Sequence, residues 1–460
     1  MRVKNLLKLS VLVISIIFCV SLFSACSISD FITLKEVPEY ITNTYINENG
    51  ELVVEYSDNS TQNLGVVVGK DGKDGIDGTD GIDGVDGKDG ANGADGKDGA
   101  IIIQGEENNA SSLSYAVANS IQSAVIIQGS YTDPTTLQTG YSSGAGVIYQ
   151  CNKAAGDAII ITNYHVVFNV NSQTENNICE QIDVFLYGAV SSDSIIEATY
   201  VGGSMHYDLA ILKVTNSDVI KNSDVSAVNI KDSSKVHVGD TAFAIGNPKA
   251  DGFSVTAGIV SVDSENIELT LADDETYGSI RVMRVDTPIN SGNSGGGLFD
   301  ESGNLIGIVN AKYSDAKIEN IGYAIPSSTV VAIVENLLDY CLDTDNETIK
   351  RPLLGISVQI QNPHSKYDSE TGFVEIYEDP TVVEIVSFSS IAFGKLQIGD
   401  IIRKVEIQDS GEVFEITRQY QLLDALLHAR IGDTVIITVE RNGEMIAKSM
   451  IITEDCTSNS

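Results

Sequence analysis

The chain has 460 residues, with 28 lysines and arginines against 64 aspartates and glutamates, which gives a net charge of −36. So negative a surface repels nucleic acid and keeps molecules apart in solution, and it therefore argues against a nucleic-acid partner. The length allows two globular units that each bury a core, together with an extended segment.

The first 25 residues have the pattern of a secretory signal. Three basic residues stand among the first eight, residues 9–23 are apolar, and small residues lead up to Cys26. This order predicts a signal peptide over residues 1–25, and no later stretch is apolar enough to cross a membrane.

Cys26 resembles the lipid-bearing cysteine of bacterial lipoproteins, with Phe23 at the place where that pattern prefers leucine. The resemblance implies a lipid on Cys26 that anchors the chain to the bacterial cell membrane, with everything downstream extracytoplasmic and at the cell surface. An uncleaved apolar anchor is the alternative, and it gives the same topology.

Two segments precede the main body of the chain. Residues 26–68 are predicted to form a small hairpin module, because residues 45–56 read as two strands around Asn49 and Gly50. Residues 69–100 have glycine at every third position from Gly69 to Gly99, the spacing that three extended chains need to pack about one axis. This segment resembles bacterial collagen-like stalks, but it lacks proline, so a flexible acidic linker is the alternative. Residues 101–110 are predicted to be a linker.

Three fragments in the middle of the chain carry the residue types of nucleophilic catalysis. An apolar run predicts a buried strand that ends at His165, and Asp208 stands directly before a second apolar run. Ser294 lies among glycines, which leave backbone amides open to a ligand. Serine becomes a good nucleophile when an imidazole takes its proton and a carboxylate orients that imidazole. Each fragment alone is also typical of a structural histidine, a turn aspartate or a tight turn.

The order His, Asp, Ser along the chain is that of the chymotrypsin-like double β-barrel. Together with residues 244–248, 258–261 and 322–326, the three fragments resemble the HtrA/Deg family of trypsin-like serine proteases. The resemblance implies a mainly β fold. A chymotrypsin-like double β-barrel would cover residues 111–342, a linker residues 343–350, and a PDZ-like α+β domain residues 351–455.

The same resemblance implies a role for each residue of the site. His165 is the expected general base, Asp208 its orienter and Ser294 the nucleophile, while the amides of Gly292 and Ser294 are the expected oxyanion donors. This chemistry requires no metal and no cofactor. The family also implies a homotrimer, which would hold three Gly-X-Y segments together and so favour a triple helix.

The serine loop departs from the family pattern in two places, since proline is usual where Ser291 and Gly297 stand. Asn293 has a further consequence, because an asparagine cannot form the ion pair with a new amino terminus that activates trypsin-like zymogens. We therefore expect activation through ordering of a regulatory loop rather than through trimming of the amino terminus.

Ile289, five residues before Ser294, is at the position that resembles the wall of the specificity pocket. With no aspartate there to attract a basic side chain, we expect cleavage after small or medium apolar residues. The alternative is that Ile289 is an ordinary core residue.

The region from residue 351 to 455 opens with residues 352–358, which resemble the carboxylate-binding loop of HtrA-type PDZ domains. The amides of Leu354, Gly355 and Ile356 are the expected donors to a terminal carboxylate, and the strand after them would pair with an extended peptide. Residues 420–429 have helical spacing, and residues 441–443 predict a hairpin turn. A polar insertion over residues 362–380 departs from the family. The alternative is a small domain that merely packs on the barrels.

Of the six cysteines, four lie beyond the signal and Cys26. Cys151 and Cys179 flank the His165 strand and could form one bridge, and Cys341 and Cys456 another. The sequence alone fixes neither pairing, and free thiols are equally consistent with it.

These features together predict a membrane-anchored, secreted serine endopeptidase that hydrolyses unfolded or exposed polypeptides, with a PDZ-like domain that recruits chain ends or regulates the barrels. The alternative is a catalytically weak surface lipoprotein that binds peptides.

Overall fold

The computed structural model of the protein describes residues 41–49, 51–56, 60–66, 112–188, 194–248, 252–311 and 321–459. The predicted signal, Cys26 and the Gly-X-Y segment lie outside these residues. The chain divides into two compact units, Met1–Ile102 and Ile103–Ser460. Within the described residues, no helix combines the length and apolar character that crossing a membrane requires.

The first unit contains a three-stranded antiparallel sheet in the order β1-β2-β3. Its strands are β1 Ile41–Ile46, β2 Glu51–Tyr56 and β3 Thr61–Val66. Asn47 stabilises the connection between the first two strands, because its side-chain oxygen accepts the amides of Asn49 at 2.9 Å and Glu51 at 3.1 Å. The predicted hairpin is present, and β3 adds a strand that the sequence analysis did not predict.

The second unit begins with two closed antiparallel barrels of six strands each. The first has the order β4-β5-β6-β9-β8-β7, with β4 Ala124–Thr132, β5 Thr139–Asn152, β6 Asp157–Thr162, β7 Gln181–Leu186, β8 Ile196–Ser204 and β9 Leu209–Val214. The second has the order β10-β11-β12-β15-β14-β13, with β10 Thr241–Gly246, β11 Ser254–Thr270, β12 Tyr277–Val285, β13 Gly297–Asp300, β14 Leu305–Val309 and β15 Gly322–Pro326. The predicted mainly β double-barrel fold is confirmed.

The helices of this unit connect and cover the barrels. They are α1 Ser112–Ser120, α2 Tyr164–Val167, α3 Asp218–Lys221, α4 Ser327–Cys341 and α5 Gln419–Leu427, with 3₁₀ turns at Ile121–Ser123, Ser233–Lys235 and Glu454–Cys456. The helix predicted over residues 420–429 is therefore present, with slightly different ends.

Strand β6 explains why the sequence before the histidine is continuously apolar. Ile160 faces the interior of the first barrel, whereas Ile159 and Ile161 face a second cluster that includes residues of the other barrel and of α4. Both faces of the strand are thus buried, and neither tolerates a polar residue. One prediction here was wrong in detail. His165 does not end the strand, because β6 stops at Thr162 and the histidine lies in the single turn of α2.

The last part of the second unit is an antiparallel sheet in the order β17-β18-β19-β21-β22, in which β20 also pairs with β19. Its strands are β17 Ile356–Tyr367, β18 Val374–Ile385, β19 Ile401–Ile407, β20 Glu412–Glu415, β21 Thr434–Arg441 and β22 Glu444–Ile451; β16 Lys350–Pro352 pairs separately with β23 Thr457–Asn459. The predicted hairpin turn joins β21 to β22, and both Asn442 and Gly443 have positive φ there. The polar insertion forms the far end of the long β17–β18 hairpin.

The sheet is attached to the barrels through α5. Leu427 at its end packs into the same apolar cluster as α4. The Arg281 side chain of β12, only 8% exposed, forms an ion pair with Asp424 of α5, and its guanidinium lies 3.6 Å from the centre of the Tyr420 ring. This combination of apolar, ionic and cation–π contacts holds α5 against the second barrel.

The four cysteines among the described residues are all unbridged, so neither Cys151–Cys179 nor Cys341–Cys456 forms a disulfide. Burial raises the pKa of the Cys151 and Cys179 thiols, and that of Cys341 to about 12. Because the thiolate is the reactive form, the raised pKa lowers the reactivity of these three side chains at neutral pH.

The C-terminal sheet contains a buried ion pair on which its stability depends. Asp400 is fully buried and binds Arg441 through both carboxylate oxygens, at 2.6 and 2.7 Å, while the Gln397 amide donates to it at 2.8 Å. Burial alone raises the pKa of Asp400, but these hydrogen bonds lower it by more, so the pKa lies below its usual value. The stabilisation is therefore present above the unfolded-state pKa and is lost as the pH falls through the lower folded-state pKa.

We expect Asp400→Asn to lower the free energy of unfolding of this sheet by about 3 kcal/mol, because it leaves the Arg441 guanidinium without its counter-ion. Urea unfolding followed by circular dichroism at pH 7 measures the change. Lys213→Ala is the control, since the Lys213–Asp343 pair is 36% and 78% exposed and its loss should cost at most about 1 kcal/mol. Equal effects of the two substitutions would contradict the stabilising role assigned to the Asp400–Arg441 ion pair.

Candidate active site

The site is built around the carboxylate of Asp208, which is 1% exposed. Its Oδ1 accepts the backbone amide of His165 at 2.9 Å, and its Oδ2 accepts the Asn310 side chain at 2.7 Å. The backbone of Asp208 has φ of 50°, an uncommon value for a residue with a side chain, directly before β9. Asn163 stabilises that turn by donating its side-chain N–H to the Asp208 carbonyl at 2.8 Å.

His165 faces Asp208 from the short helix α2. Its Nδ1 lies 2.7 Å from Asp208 Oδ2. Because an ionised carboxylate only accepts hydrogen bonds, the proton must be on Nδ1, and the Nε2 atom is left with a lone pair that can accept a proton. The side chain is 19% exposed, so Nε2 is accessible from solvent while Nδ1 is not free to rotate away.

Ser294 lies in a tight turn that precedes β13. The amide of Asn293 donates to Asn290 and that of Gly296 donates to Asn293, each at 3.0 Å. Gly295 has φ of 83°, and a Cβ placed on it would lie 2.2 Å from the Ala145 carbonyl oxygen, so only glycine fits there. The Ala145 amide in turn donates to the Ser294 carbonyl at 2.8 Å, which holds the serine turn against β5 of the first barrel.

Two neighbouring residues at the end of β14 connect the carboxylate to the serine. Asn310 donates to Asp208, as described, and the next residue, Ala311, donates its amide to Ser294 Oγ at 3.2 Å. The sequence analysis missed both residues. The only signal was that Asn310 is a polar residue directly after the fully buried strand β14. Asp208 has a similar position, directly before the buried strand β9.

In this conformation Ser294 Oγ is bound to Ala311 rather than to His165. Within the part of the chain that the structure describes, the Ala311 amide is the only hydrogen-bond partner of that hydroxyl. The contact through which His165 would accept the proton of Ser294 is not formed as a hydrogen bond here, and such contacts are often loose before substrate binds.

The predicted oxyanion donors, the amides of Gly292 and Ser294, make no hydrogen bond to another described residue. The carbonyl of Gly292 accepts the Asn247 amide at 3.1 Å, which fixes the orientation of this part of the loop. Gly292 itself has φ of 96°.

Asn293 supports the same turn from within the barrel. Its side chain is buried, and its Oδ1 has no hydrogen-bond partner among the described residues. A carboxylate at this position would be an uncompensated buried charge, which agrees with the presence of asparagine there.

The remaining predicted site residues lie apart from this centre. Ile289 is buried in the apolar core of the second barrel, and a Cβ on Gly322 would lie 2.6 Å from its Cδ1. Leu354 is buried, Gly355 has φ of 71°, and Ile356 begins β17.

Strand β17 is at the edge of its sheet, and the side chain of Gln419 in α5 donates to its Val358 carbonyl at 3.2 Å. The edge of β17 and α5 thus lie side by side, with the turn of residues 354–356 at the start of the strand.

Comparison with known proteins gives the following similarities. Residues 144–308 match the family model of the trypsin-like peptidase domain. The chain is 33% identical over 371 residues to the serine protease Do-like HtrA of Lactococcus lactis subsp. cremoris, covering 76% of this chain and 82% of the relative. It is 32% identical over 338 residues to that of Bacillus subtilis, covering 72% and 67%. Among solved structures, the HtrA-type protease AlgW with tripeptide is 25% identical, with a TM-score of 0.48, covering 74% and 95%.

We expect Asn310→Ala to lower kcat for a short amide substrate by about 10-fold to 100-fold, because a hydrogen bond to a buried charge is lost and the carboxylate is held less firmly. KM should change little, since Asn310 acts through Asp208. The control is Asn304→Ala, directly before β14, where the hydrogen bonds of the side chain to described residues all go to Asp300, at 3.3 Å. An unchanged kcat in Asn310→Ala would show that this hydrogen bond has no part in positioning Asp208.

Proposed function

Because the chain belongs to the HtrA family of trypsin-like serine proteases and is a serine endopeptidase, we propose that it cleaves unfolded or exposed polypeptides through an acyl-enzyme on Ser294. The observation that carries the mechanism is that the buried Asp208 carboxylate holds His165 Nδ1, while two consecutive residues, Asn310 and Ala311, bind that carboxylate and the Ser294 hydroxyl.

In the first step His165 Nε2 takes the proton of Ser294 as Oγ attacks the carbonyl carbon of the substrate. Asp208, held by its two further hydrogen bonds, stabilises the imidazolium that forms. The proton then passes from Nε2 to the leaving amine, the C–N bond breaks, and the acyl group remains on Oγ. Water, deprotonated by the same imidazole, hydrolyses that ester and releases the serine.

The negative charge of each tetrahedral intermediate forms on the former carbonyl oxygen. We assign its stabilisation to the amides of Gly292 and Ser294, whose N–H groups have no acceptor among the described residues. Each donor of this kind contributes about 10²-fold to 10³-fold in rate. Ile289 is proposed as part of the wall of the specificity pocket, and cleavage is proposed to follow small or medium apolar residues.

The C-terminal sheet is proposed to be a PDZ-like domain that binds the ends of polypeptide chains. The turn at Gly355 would present the amides of Leu354, Gly355 and Ile356 to a terminal carboxylate. The open edge of β17 would add the peptide as a further strand. Apolar side chains on α5, such as the 54% exposed Leu423 one turn after Gln419, would contact the peptide side chains.

The location and assembly of the protein rest on the sequence features of its first hundred residues. A cleaved signal with lipid on Cys26 would place the endopeptidase outside the cytoplasmic membrane. A homotrimer of the barrels would bring three Gly-X-Y segments together, as a stalk that sets the distance between membrane and protease.

We expect a fluorophosphonate probe to label the ectodomain, residues 27–460, on one serine, and Ser294→Ala to abolish that labelling. Hydrolysis of unfolded casein should fall by about 10⁴-fold or more in the same variant, since the nucleophile is lost. His165→Ala should have a comparable effect on both measurements. Labelling of the wild type without casein turnover would favour a gated enzyme or a narrow substrate range, whereas absence of labelling would favour the catalytically weak peptide-binding lipoprotein.

The peptide-binding proposal has a separate test. A fluorescein-labelled decapeptide ending in valine should bind at least about 10-fold more tightly with a free carboxylate than with a terminal amide, as measured by fluorescence anisotropy. Leu423→Asp should weaken binding by a similar factor, because it places a charge beside the apolar peptide side chain. Met445→Asp, at a 62% exposed apolar residue of β22, is the matched control. Equal binding of the acid and the amide would refute carboxylate recognition.

A further inference from the structure

A cavity of about 690 Å³ opens between the two barrels, beside the serine loop. On the first barrel it is lined by β4, β5 and the end of β7, and on the second by the segment after β10. Four aromatic side chains line the cavity: Tyr141, Phe185, Tyr187 and Phe253.

The cavity is connected to the serine loop through direct hydrogen bonds. Asn247, one of its lining residues, donates its amide to the Gly292 carbonyl at 3.1 Å and its side chain to Ser143 Oγ at 3.1 Å. Ser143 is two residues before Ala145, whose amide donates to the Ser294 carbonyl. Each residue of β5 advances the strand by about 3.4 Å. The cavity therefore begins two residues along the strand from Ala145, the residue that contacts Ser294.

The cavity also borders the helix that carries the general base. Ser142, in its lining, donates its hydroxyl to the Val166 carbonyl at 2.6 Å, next to His165. Ile289, the residue assigned to the specificity pocket, is not among the lining residues. The cavity thus borders the general base and is separate from the pocket proposed for the acyl side, which favours a position on the leaving-group side of the scissile bond.

We propose that this cavity is a subsite for the substrate, and that it binds a large apolar or aromatic side chain at the first or second residue after the scissile bond. The inference rests on the proposed acyl-enzyme mechanism and adds to it a preference on the leaving-group side. The proposed substrates are thus chains in which the apolar residue before the scissile bond is followed, one or two positions later, by a large apolar or aromatic residue.

The chemistry of the lining supports this occupant. No charged side chain lines the cavity among the residues that the structure describes, although the chain as a whole has a net charge of −36. Tyr187 and Phe253 make an edge-to-face contact with centroids 5.4 Å apart, which leaves ring surface for a third aromatic group. Tyr141 and Tyr187 are 65% and 61% exposed, and a bound side chain would cover part of that apolar surface.

The polar residues of the lining are placed to orient a peptide rather than to bind a charge. Gln128 lines the cavity on the first barrel, and Asn247, whose side chain binds Ser143 and the Gly252 amide, lines it on the second. The Gln128 side chain can hydrogen-bond the backbone of an extended substrate while the aromatic rings contact its side chain. A glutamate or aspartate of the substrate would lose its hydration here without gaining a cation, so such sequences should be poor substrates.

The test uses a series of peptides that share valine on the acyl side and differ only at the first or the second residue after it, with Phe, Leu, Ala or Glu there. A chromogenic anilide with the same acyl side has no residue beyond the scissile bond and serves as the internal reference. We expect kcat/KM to be at least about 10-fold higher for Phe than for Ala at one of the two positions, with Glu lowest.

Phe253→Ala and Tyr141→Ala should each reduce the ratio of kcat/KM for the Phe peptide to that for the anilide by about 10-fold. Tyr277→Ala, at an 85% exposed aromatic residue of β12, is the matched control and should leave the ratio unchanged. Absence of a Phe preference at both positions in the wild type, or a ratio unaffected by both cavity variants, overturns the inference.

The failure of the proposed mechanism would look different, because fluorophosphonate labelling of Ser294 and hydrolysis of the anilide would then both be lost. The molecular mass of the cavity variants in solution distinguishes one further outcome. If the cavity variants change the oligomeric mass and leave the selectivity intact, the aromatic surface contacts a second copy of the chain, and the subsite assignment is wrong.

Discussion

A single buried negative charge organises the two barrels. The Asp208 carboxylate receives two N–H groups from His165 on its own barrel and one from Asn310 on the other. Burial of a carboxylate is costly unless such donors surround it, so the site forms only when both barrels are in place. The geometry of the serine turn depends on the same junction, through Ala311 on one side and Ala145 on the other.

This dependence separates what the sequence could predict from what it could not. His165, Asp208 and Ser294 were identifiable because each belongs to a local pattern of apolar strand, polar residue or glycine turn, and the structure brings the first two into direct contact. Asn310 and Ala311 act only through partners that are about one hundred residues and seventeen residues away in the chain, and no local pattern marks such a contact. The sequence analysis placed the histidine at the end of a strand, whereas β6 stops at Thr162 and His165 lies in the single turn of α2.

The C-terminal sheet was predictable to a similar depth. The helix and the Asn442–Gly443 turn follow from spacing and from residues that accept positive φ. Its attachment to the barrels was not predictable, since it depends on Arg281, whose partner Asp424 is far away in sequence. One face of α5 contacts that arginine and another, at Gln419, contacts β17. The helix therefore takes part both in the interface with the barrels and in the groove proposed to bind peptides.

The four unbridged cysteines have a consequence for where such a protein can mature. Since no disulfide links the described residues, their native packing does not require oxygen, an oxidoreductase or a particular redox potential of the surroundings. The barrels can reach the same final state in air and in a strictly reducing medium, and thiol reagents in the environment have no covalent cross-link to sever.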